Sequence, residues 1–495
     1  MHEVVAAVAD AAPVPTRRAA PVGAAYGGGD DAGRPAVAFL PWGNVIEDFT
    51  DTIGVSLESF CDWFTGSYMF RYVEALQRAG VRTVLICMTT RVTRAMRVTH
   101  RPSNATVYFL PAPKIYRFLQ RIMGGPSGPY RRSVREAFGE IRGIRLLLMP
   151  VLTVLKELAL YLTTPPLTLA GVLRRERCAA VLCQEYEYPR FDVCVALGRV
   201  MRVPVFATFQ GGDYQRSRIE RVVRPFSMRA CAGLIVAPRA EIRRVQDRYH
   251  VPERKLARIF TPIDRDIWCA EDRRDARAAL GLPLSAGVVV WHGRISIWPK
   301  GLDLLLDAWT QVCRTRPGRA LRLILVGTGQ DAAEFRRRAA TAVEGTVWWI
   351  NEFVHDRRVI RRYLSAADVY AFPSRHEGFP VAPLEAMSCG LPIVAAKVKG
   401  IPDILEGGEA AGGLVVPPGD PQQLAAAIGR LLDDEGARRE LGQRARRRIE
   451  AAFSLNTVGL ALRAFLIEGR HPGEAAESGD VGADGCNGKA RDGGA

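Results

Sequence analysis

Two glutamates with seven residues between them, Glu377 and Glu385, are the side chains of this sequence best suited to chemistry. Glu377 follows a short apolar run that ends at Pro373, and Glu385 lies in a segment with helical character beyond Gly378. We therefore expect the first carboxylate in a strand-to-helix turn and the second in the opening turns of the helix. In parallel α/β sheets, phosphates bind where a strand end meets a helix start. Paired carboxylates there can grip a polyhydroxylated ligand, which predicts a sugar-nucleotide site.

Two cations on one loop point to the same chemistry. The segment WHGRISIWPKGLDLLLDAW carries Arg294 after Gly293, and Lys300 at the start of the next predicted helix. A guanidinium and an ammonium so placed can bind a diphosphate and neutralise the charge that grows on it as it leaves. The alternative is a pair of solvated cations, but the positive end of a helix dipole disfavours cations at a helix start. A bound anion would remove that conflict, so we favour phosphate binding.

Apolar runs of strand length recur along the chain, with helical patterning between them, and would position these side chains. The first series is 36–40, 83–88, 179–183, 203–208 and 233–237, and the second is 288–291, 322–326, 347–350, 369–372 and 392–395. Alternating strands and helices are typical of parallel sheets. A charged, turn-rich stretch near 265–285 separates the series, so we predict two doubly wound domains of similar size. A length of 495 residues also favours two domains.

Composition limits the partners. The formal charge of +16 suggests anionic ligands, but only seven of the 68 basic residues are lysine, which indicates a general preference for arginine. No nucleic-acid-binding motif accompanies the charge, so we expect no nucleic-acid partner. Ten cysteines without a CxxC pair, and an N-terminus without a signal-peptide pattern, predict a reduced, cytoplasmic protein without a zinc site.

The stretch 144–173 (IRLLLMPVLTVLKELALYLTTPPLTLAGVL) is unusually apolar. Lys156, Glu157 and two prolines interrupt it, so it does not read as a membrane-spanning helix. We favour buried helices joined by a turn. The alternative is an apolar surface, flanked by arginines, for a lipid or a membrane-borne acceptor at the inner face of the membrane.

Three motifs resemble a known family: GR followed by KG at Arg294 and Lys300, LVGTG at 325–329, and YLSAADVYAFPSRHEGFPVAPLEAMSCGLPIVA at 363–395. On these residues the chain resembles a family 4 glycosyltransferase of the GT-B fold (glycosyl transferases group 1), a group of retaining enzymes that use nucleotide sugars. The resemblance is strong in the C-terminal half and generic before it. It implies an α/β architecture of two Rossmann-like domains facing across a cleft.

The predicted division follows from the resemblance and from the composition of the ends. We expect an N-terminal acceptor-side domain at 35–268, a C-terminal nucleotide-sugar domain at 269–455, and a helix at 456–469 that crosses back to the first domain. Ala, Gly and Pro dominate the ends of the chain, so we expect disorder at 1–34 and 470–495.

The resemblance also implies roles for particular residues. It makes Arg294, Lys300 and Glu377 the catalytic residues, with the two cations on the donor diphosphate and Glu377 on hydroxyls of the transferred sugar. Glu385 would contact the ribose. Further donor contacts are expected from Gly66, Gly293, Val354, Gly378 and Phe379. The weaker acceptor-side candidates are Gln210 and Asp213 in ATFQGGD, where many members have a histidine, and Glu47 and Asp48 in an acidic loop.

The expected reaction transfers a sugar from a nucleoside diphosphate sugar to an acceptor hydroxyl, with retention of anomeric configuration and without a metal or other cofactor. The acceptor would be a glycan, a lipid-linked molecule or a small molecule. Two alternatives stay open: a GT-B nucleotide-sugar epimerase, and a catalytically silent nucleotide- or membrane-binding protein. Gln210 keeps the second one open, because glutamine cannot act as a base.

Overall fold

Two β-sheets, one in each half of the chain, frame the computed structural model, which describes residues 33–65, 68–123, 148–209, 211, 217–342 and 345–471. The first sheet has eight strands and the second has six, with helices between most consecutive strands. Buried apolar side chains cover both faces of each sheet. The predicted α/β fold class with two parallel-dominated sheets is confirmed. The segments predicted to be disordered, 1–34 and 470–495, lie almost wholly outside the described residues.

The first sheet has the strand order β3-β4-β2-β1-β5-β6-β7-β8. Its strands are β1 (Ala36–Leu40), β2 (Arg82–Thr89), β3 (Met96–His100), β4 (Ala105–Pro111), β5 (Cys178–Cys183), β6 (Val205–Thr208), β7 (Gly233–Ile235) and β8 (Leu256–Ala257). All neighbours pair in parallel except β3 and β4, which are antiparallel. Every residue of β1 is buried between β2 and β5, which explains its unbroken apolar sequence AVAFL.

Eight α-helices accompany this sheet in the described residues. They are α1 (Leu57–Asp62), α2 (Tyr68–Arg78), α3 (Lys114–Ile122), α4 (Met149–Tyr161), α5 (Pro166–Arg175), α6 (Pro189–Met201), α7 (Arg218–Ala230) and α8 (Arg239–Tyr249).

The second sheet has the strand order β11-β10-β9-β12-β13-β14, and all its neighbours are parallel. Its strands are β9 (Gly287–His292), β10 (Leu321–Val326), β11 (Val347–Ile350), β12 (Val369–Phe372), β13 (Ile393–Ala396) and β14 (Gly413–Val416). Its helices are α9 (Arg273–Ala279), α10 (Ile297–Lys300), α11 (Leu302–Arg314), α12 (Ala332–Thr341), α13 (Arg357–Ala366), α14 (Ala382–Ser388), α15 (Ile401–Ile404), α16 (Pro421–Asp433) and α17 (Glu435–Phe453).

The last helix of the described chain, α18 (Leu455–Leu466), packs against the first domain rather than the second. Phe465 lies edge-on to Phe206 of β6, with ring centroids 5.3 Å apart. Gly459 lets the helix approach α2 closely, because a Cβ there would fall 2.1 Å from the carbonyl oxygen of Ala75. The two domains are therefore joined by the linker before α9 and again by this helix.

The apolar stretch 144–173 was predicted to form buried helices. Over the residues that the structure describes, this prediction holds only in part. Helix α5 buries Leu169, Val172 and Leu173, although its Leu167 is 88% exposed. Helix α4 packs against α3, α6 and α7 and exposes Val151, Val154 and Leu158 to 54%, 47% and 38%. The core interpretation is wrong for α4, because apolar periodicity predicts a helix face but not what that face meets. No helix in the described part of the chain combines the length and the apolarity needed to cross a bilayer.

Candidate functional site

The strand order of the second sheet reverses between β9 and β12, so the loops that follow these strands lie at the same edge. In open parallel sheets, ligands bind at the carboxyl ends of strands at such a reversal. The loop after β9 carries Arg294 and Lys300, and the loop after β12 carries Glu377. The fold therefore brings the three predicted catalytic residues to one edge of the second sheet.

Backbone contacts lock these two loops together. The amide nitrogens of Arg375 and His376 both donate to the carbonyl oxygen of Pro299, at 2.9 and 3.2 Å. One residue further along each loop, Nζ of Lys300 lies 2.8 Å from Oε1 of Glu377. The ammonium and the carboxylate are thus a positioned ion pair at the sheet edge.

Gly301 makes this approach possible. Its φ of +63° is left-handed, and a Cβ at this position would fall 2.1 Å from the carbonyl oxygen of Pro373. Only glycine has neither the steric penalty at this φ nor the overlapping atom. The glycine of the Lys-Gly motif is therefore explained by the close packing of the two loops.

Arg294 is exposed on the loop after Gly293. It makes no hydrogen bond or ion pair with any other residue in the described ranges. A guanidinium with free N–H groups can bind a phosphate through charge-assisted hydrogen bonds.

Glu385 is buried on α14 and bound from both domains. Its Oε2 accepts a hydrogen bond from Nε2 of His292, at 2.7 Å, and its Oε1 pairs with the guanidinium of Arg71 on α2. Burial alone would raise the pKa of the Glu385 carboxyl, but Arg71 and the His292 hydrogen bond outweigh it and lower the pKa to about 2. Glu385 is therefore ionised at neutral pH.

Further contacts bring the first domain against the second around Glu385. A guanidinium nitrogen of Arg357, on α13, donates to the carbonyl oxygen of Thr65. The exposed ring of Trp63 meets the ring of His355 edge-on, with centroids 5.5 Å apart. These residues belong to the stretch between α1 and α2 on one side, and to the loop before α13 and the first residue of α13 on the other. The cleft is narrow here.

A glycine contact closes the cleft at another point. Gly211 has a φ of +100°, and a Cβ there would lie 2.5 Å from Cα of Gly378. The backbones of the two domains therefore touch beside the predicted phosphate contact at Gly378.

The other predicted donor residues have different surroundings. The side chain of Phe379 is buried in the second core, stacked on Phe260 with centroids 5.8 Å apart, so only its backbone is free to meet a ligand. Val354 is half-buried and packs against the same core. Gly66 lies outside the described residues.

Two of the four acceptor-side candidates are described by the structure, and both make hydrogen bonds within the first domain. Glu47 is buried and its Oε1 accepts hydrogen bonds from Oγ1 of Thr89, at 2.7 Å, and from the backbone and hydroxyl of Thr90, at 2.6 and 2.8 Å. Oδ2 of Asp48 accepts from the backbone of Asn44 at 2.8 Å. Both carboxylates thus shape the loop after β1. Gln210 and Asp213 lie outside the described residues.

Sequence reasoning missed Arg71, Trp63 and Arg357. Their partners lie far away along the chain; Arg71 and Glu385 are 314 positions apart. The one local signal was a charged face on an otherwise apolar helix, with Arg71, Glu74 and Arg78 at helical spacing.

The described residues contain no cluster of three or more His, Cys, Asp or Glu side chains that could hold a metal ion. The cysteines that the structure describes are all free thiols.

Known proteins match this chain most clearly in its second domain. A protein-family model described as glycosyl transferases group 1 matches residues 286–434. The chain is 34% identical over 220 residues to a D-inositol 3-phosphate glycosyltransferase of Acidothermus cellulolyticus, a match that covers 43% of this chain and 48% of that protein.

A second relative is a GDP-mannose-dependent monoacylated alpha-(1-6)-phosphatidylinositol monomannoside mannosyltransferase of Corynebacterium glutamicum. The identity is 31% over 224 residues, which cover 44% of this chain and 55% of that protein. The chain spans about half the length of the curated relatives it matches.

Solved structures match the whole described architecture. Sucrose-phosphate synthase from Thermosynechococcus elongatus has a TM-score of 0.60 at 20% identity, over 88% of this chain and 99% of that one. Anabaena Alr3699/HepE in complex with UDP has a TM-score of 0.58 at 16% identity, over 88% of this chain and 100% of that one. At such identities the likeness concerns the fold alone. The chain therefore has the two-domain GT-B fold, and its residues 286–434 match the glycosyl transferases group 1 family model.

Proposed function

We propose that this protein is a retaining glycosyltransferase that moves a hexosyl or related sugar from a nucleoside diphosphate sugar to an acceptor hydroxyl. The observation that carries the proposal is the 2.8 Å ion pair of Lys300 and Glu377 inside the segment matched by the glycosyl transferases group 1 model. Arg294 stands exposed on the same edge, and Glu385 is ionised nearby in the cleft. These groups suit a diphosphate and the hydroxyls of a sugar nucleotide.

Each group has a role in this proposal. Arg294 and Lys300 bind the donor diphosphate, Glu377 holds hydroxyls of the transferred sugar, and Glu385 holds the ribose. The remaining donor contacts are Gly66, Gly293, Val354, and the backbones of Gly378 and Phe379.

The proposed chemistry needs no carboxylate nucleophile, metal or other cofactor. The bond from the anomeric carbon to the diphosphate oxygen breaks, and a bond to the acceptor oxygen forms on the same face. The acceptor proton passes to the departing diphosphate. Arg294 and Lys300 then act most strongly in the transition state, where the charge on the leaving group is greatest.

The direct test is a panel of UDP-, GDP- and ADP-sugars. We expect one donor to raise the midpoint of thermal unfolding by mass action, and the Lys300→Ala variant to lose that shift. The selected donor, radiolabelled, is then incubated with and without candidate acceptors, and transfer to an acceptor is expected. If no donor stabilises the protein, the proposal is wrong. Conversion of the donor to another sugar without an acceptor would favour an epimerase instead.

The proposal includes a cytoplasmic location with peripheral contact at a membrane. The Corynebacterium relative is named for a phosphatidylinositol monomannoside. We infer a lipid-borne acceptor here from a surface on α3 and α4, which we call the apolar–basic surface. Its exposed apolar residues have the same spacing on both helices: Ile115, Phe118 and Ile122 on α3, and Val151, Val154 and Leu158 on α4.

The charges beside these stripes favour an anionic bilayer. Lys114, Arg117 and Arg121 lie on α3, which has no acidic residue, and Lys156 and Glu157 lie on α4. Exposed apolar side chains with flanking cations are typical of helices that lie in the membrane interface.

Vesicle sedimentation tests this contact. We expect binding to phosphatidylcholine vesicles that contain phosphatidylglycerol, and weaker binding to phosphatidylcholine alone. Phe118→Glu with Val154→Glu should weaken binding at least tenfold. Val200→Glu, at an isolated site on α6 that is 83% exposed, is the control and should bind normally. Equal binding of both variants would exclude the apolar–basic surface as the contact.

A further inference from the structure

One face of α2 is charged, although the rest of the helix is buried in the first domain. Arg71, Glu74 and Arg78 recur at helical spacing on this face, whereas Met69, Phe70 and the other apolar residues pack inward. Charged residues are rarely buried without partners. The partners here come from outside the first domain.

The partners form a row along the cleft. Arg71 pairs with Glu385 of α14, and Nη2 of Arg78 lies 2.9 Å from Oδ2 of Asp266 in the linker. Burial raises the pKa of Glu74 between them, with Arg357 of α13 as its strongest opposing charge. One face of a first-domain helix is thus electrostatically matched to the second domain and the linker.

Arg71 differs from Arg78 in how firmly it is held. Its side chain is 7% exposed and its guanidinium lies over the ring of Trp268, 6.0 Å from the centroid. Its Nε and Nη1 are buried without a hydrogen-bond partner among the described residues. Arg78 is held less firmly, because the side chain of its close partner Asp266 is 80% exposed and its second carboxylate, Asp264, lies 3.8 Å away. An ion pair with an exposed partner contributes little, whereas a buried one fixes geometry.

The contact of Arg71 with Glu385 determines how the Glu385 carboxylate is oriented. One carboxylate oxygen faces His292 of the second domain and the other faces Arg71 of the first. Each carboxylate oxygen has two lone pairs, so both can still accept a hydroxyl hydrogen bond. A carboxylate oriented from both sides presents those lone pairs in a fixed direction.

We propose that Arg71 is a positioning residue of the donor site, supplied by the first domain, which orients the Glu385 carboxylate for the ribose hydroxyls of the donor nucleotide. The inference rests on the proposed function, since it needs Glu385 to meet the ribose. It adds that recognition of the ribose requires contact between the domains. The second domain alone does not complete the nucleotide site.

The test compares nucleotides with and without the ribose hydroxyls. Dissociation constants are measured by calorimetry for UDP, GDP and their 2′,3′-dideoxy forms, with the full-length protein. For the wild type we expect the better ribonucleotide to bind at least tenfold more tightly than its dideoxy form. In Arg71→Met this ratio should fall towards unity, because Glu385 loses its orienting partner. Arg78→Met, which removes an ion pair from the same helix face, should keep the wild-type ratio.

Two results in Arg71→Met would overturn the inference. An unchanged ratio, including an equal loss of affinity for both nucleotide forms, would mark a merely structural role. Tighter binding of the ribonucleotide would mark Arg71 as a competitor of the ribose for Glu385. If Arg71→Met does not fold, Arg71→Lys is measured instead; its ratio should fall several-fold, and an unchanged ratio counts against the proposal. A wild type that binds none of the nucleotides would overturn the proposed function together with this inference.

Discussion

Glu385 and His100 show how burial sets the state of single ionisable residues in this protein. Glu385 stays charged because two donors from different domains outweigh the cost of burial. His100 on β3 stays neutral, because burial lowers its pKa to about 4 and the hydrogen bond from its Nε2 to the carbonyl oxygen of Phe64 only partly offsets that. Residue type alone predicts neither state.

The first prediction concerns Lys300. Lys300→Ala removes the ammonium from the loop after β9 and leaves Glu377 without its ion-pair partner. We expect turnover to fall by about 100-fold, because the lost charge acts on the leaving group in the transition state. The measurement is release of nucleoside diphosphate with the donor found in the panel. Arg430→Ala, which removes an exposed cation paired with Glu409, serves as the control and should keep wild-type turnover. Full activity of Lys300→Ala would refute its role on the diphosphate.

A second prediction concerns acid stability through His100. Its folded pKa of about 4 lies below the ordinary value of 6.5, so the unfolded chain takes up the proton first as the pH falls. The stability from the neutral ring is complete above pH 6.5 and is lost towards pH 4, by about 3 kcal/mol. Urea unfolding from pH 7 to pH 4 should show this slope, and His100→Gln should flatten it. The exposed His250 provides the control, His250→Asn, which should retain the wild-type slope. An identical slope in His100→Gln would exclude this histidine as the cause.

At the scale of elements, loops after strands carry the site and strands fix where the loops begin. Strands β1, β11 and β12 cover the ranges predicted for them. Strand β3 was not predicted, because an exposed edge strand such as MRVTH lacks the apolar run that marks a central one. The exposed apolar residues of α4 were not predicted for a related reason. The apolar periodicity of a helix does not reveal whether its apolar face packs against another element or lies at the surface.

Gly301 supports a prediction about the contact between the two loops. Gly301→Ala places a Cβ against the backbone of Pro373, in addition to the strain of a left-handed φ. We expect a loss of about 3 kcal/mol in the free energy of unfolding, with lower turnover because Lys300 and Glu377 separate. Gly318→Ala is the matched control, since φ is +78° there and nothing lies within 4 Å. It should cost about 1 kcal/mol. Equal losses for the two variants would mean that the loops do not pack as described.

At the scale of the whole molecule, the chain connects its two domains twice. The linker leads into the second domain, and α18 returns to pack on α2, the helix that also presents Arg71 to Glu385. Ion pairs add further contacts at the domain boundary, including Lys399 with Glu241 at 2.9 Å. Helix α2 is therefore held by the C-terminal helix on one side and faces the second domain on the other.

The returning helix gives a prediction for stability. Phe465 on α18 is 6% exposed and packs on Phe206, so Phe465→Ala should lower the free energy of unfolding by about 3 kcal/mol. Leu460 on the same helix is 62% exposed, and Leu460→Ala should change stability by less than about 0.5 kcal/mol. Chemical denaturation of both variants provides the measurement. A small effect of Phe465→Ala would mean that α18 is not part of the first core.

The sequence by itself determined the fold class, most central strands, and the loop residues Arg294, Lys300 and Glu377. It could do so because a buried parallel strand needs an unbroken apolar run and a glycine turn marks its end, and both are local signals. Only the tertiary structure decided that Lys300 pairs with Glu377, that α4 exposes its apolar face, and that Arg71 meets Glu385. Those contacts join groups that are distant along the chain. They depend on strand order and on how the two domains pack together, and no local sequence pattern predicts either of these.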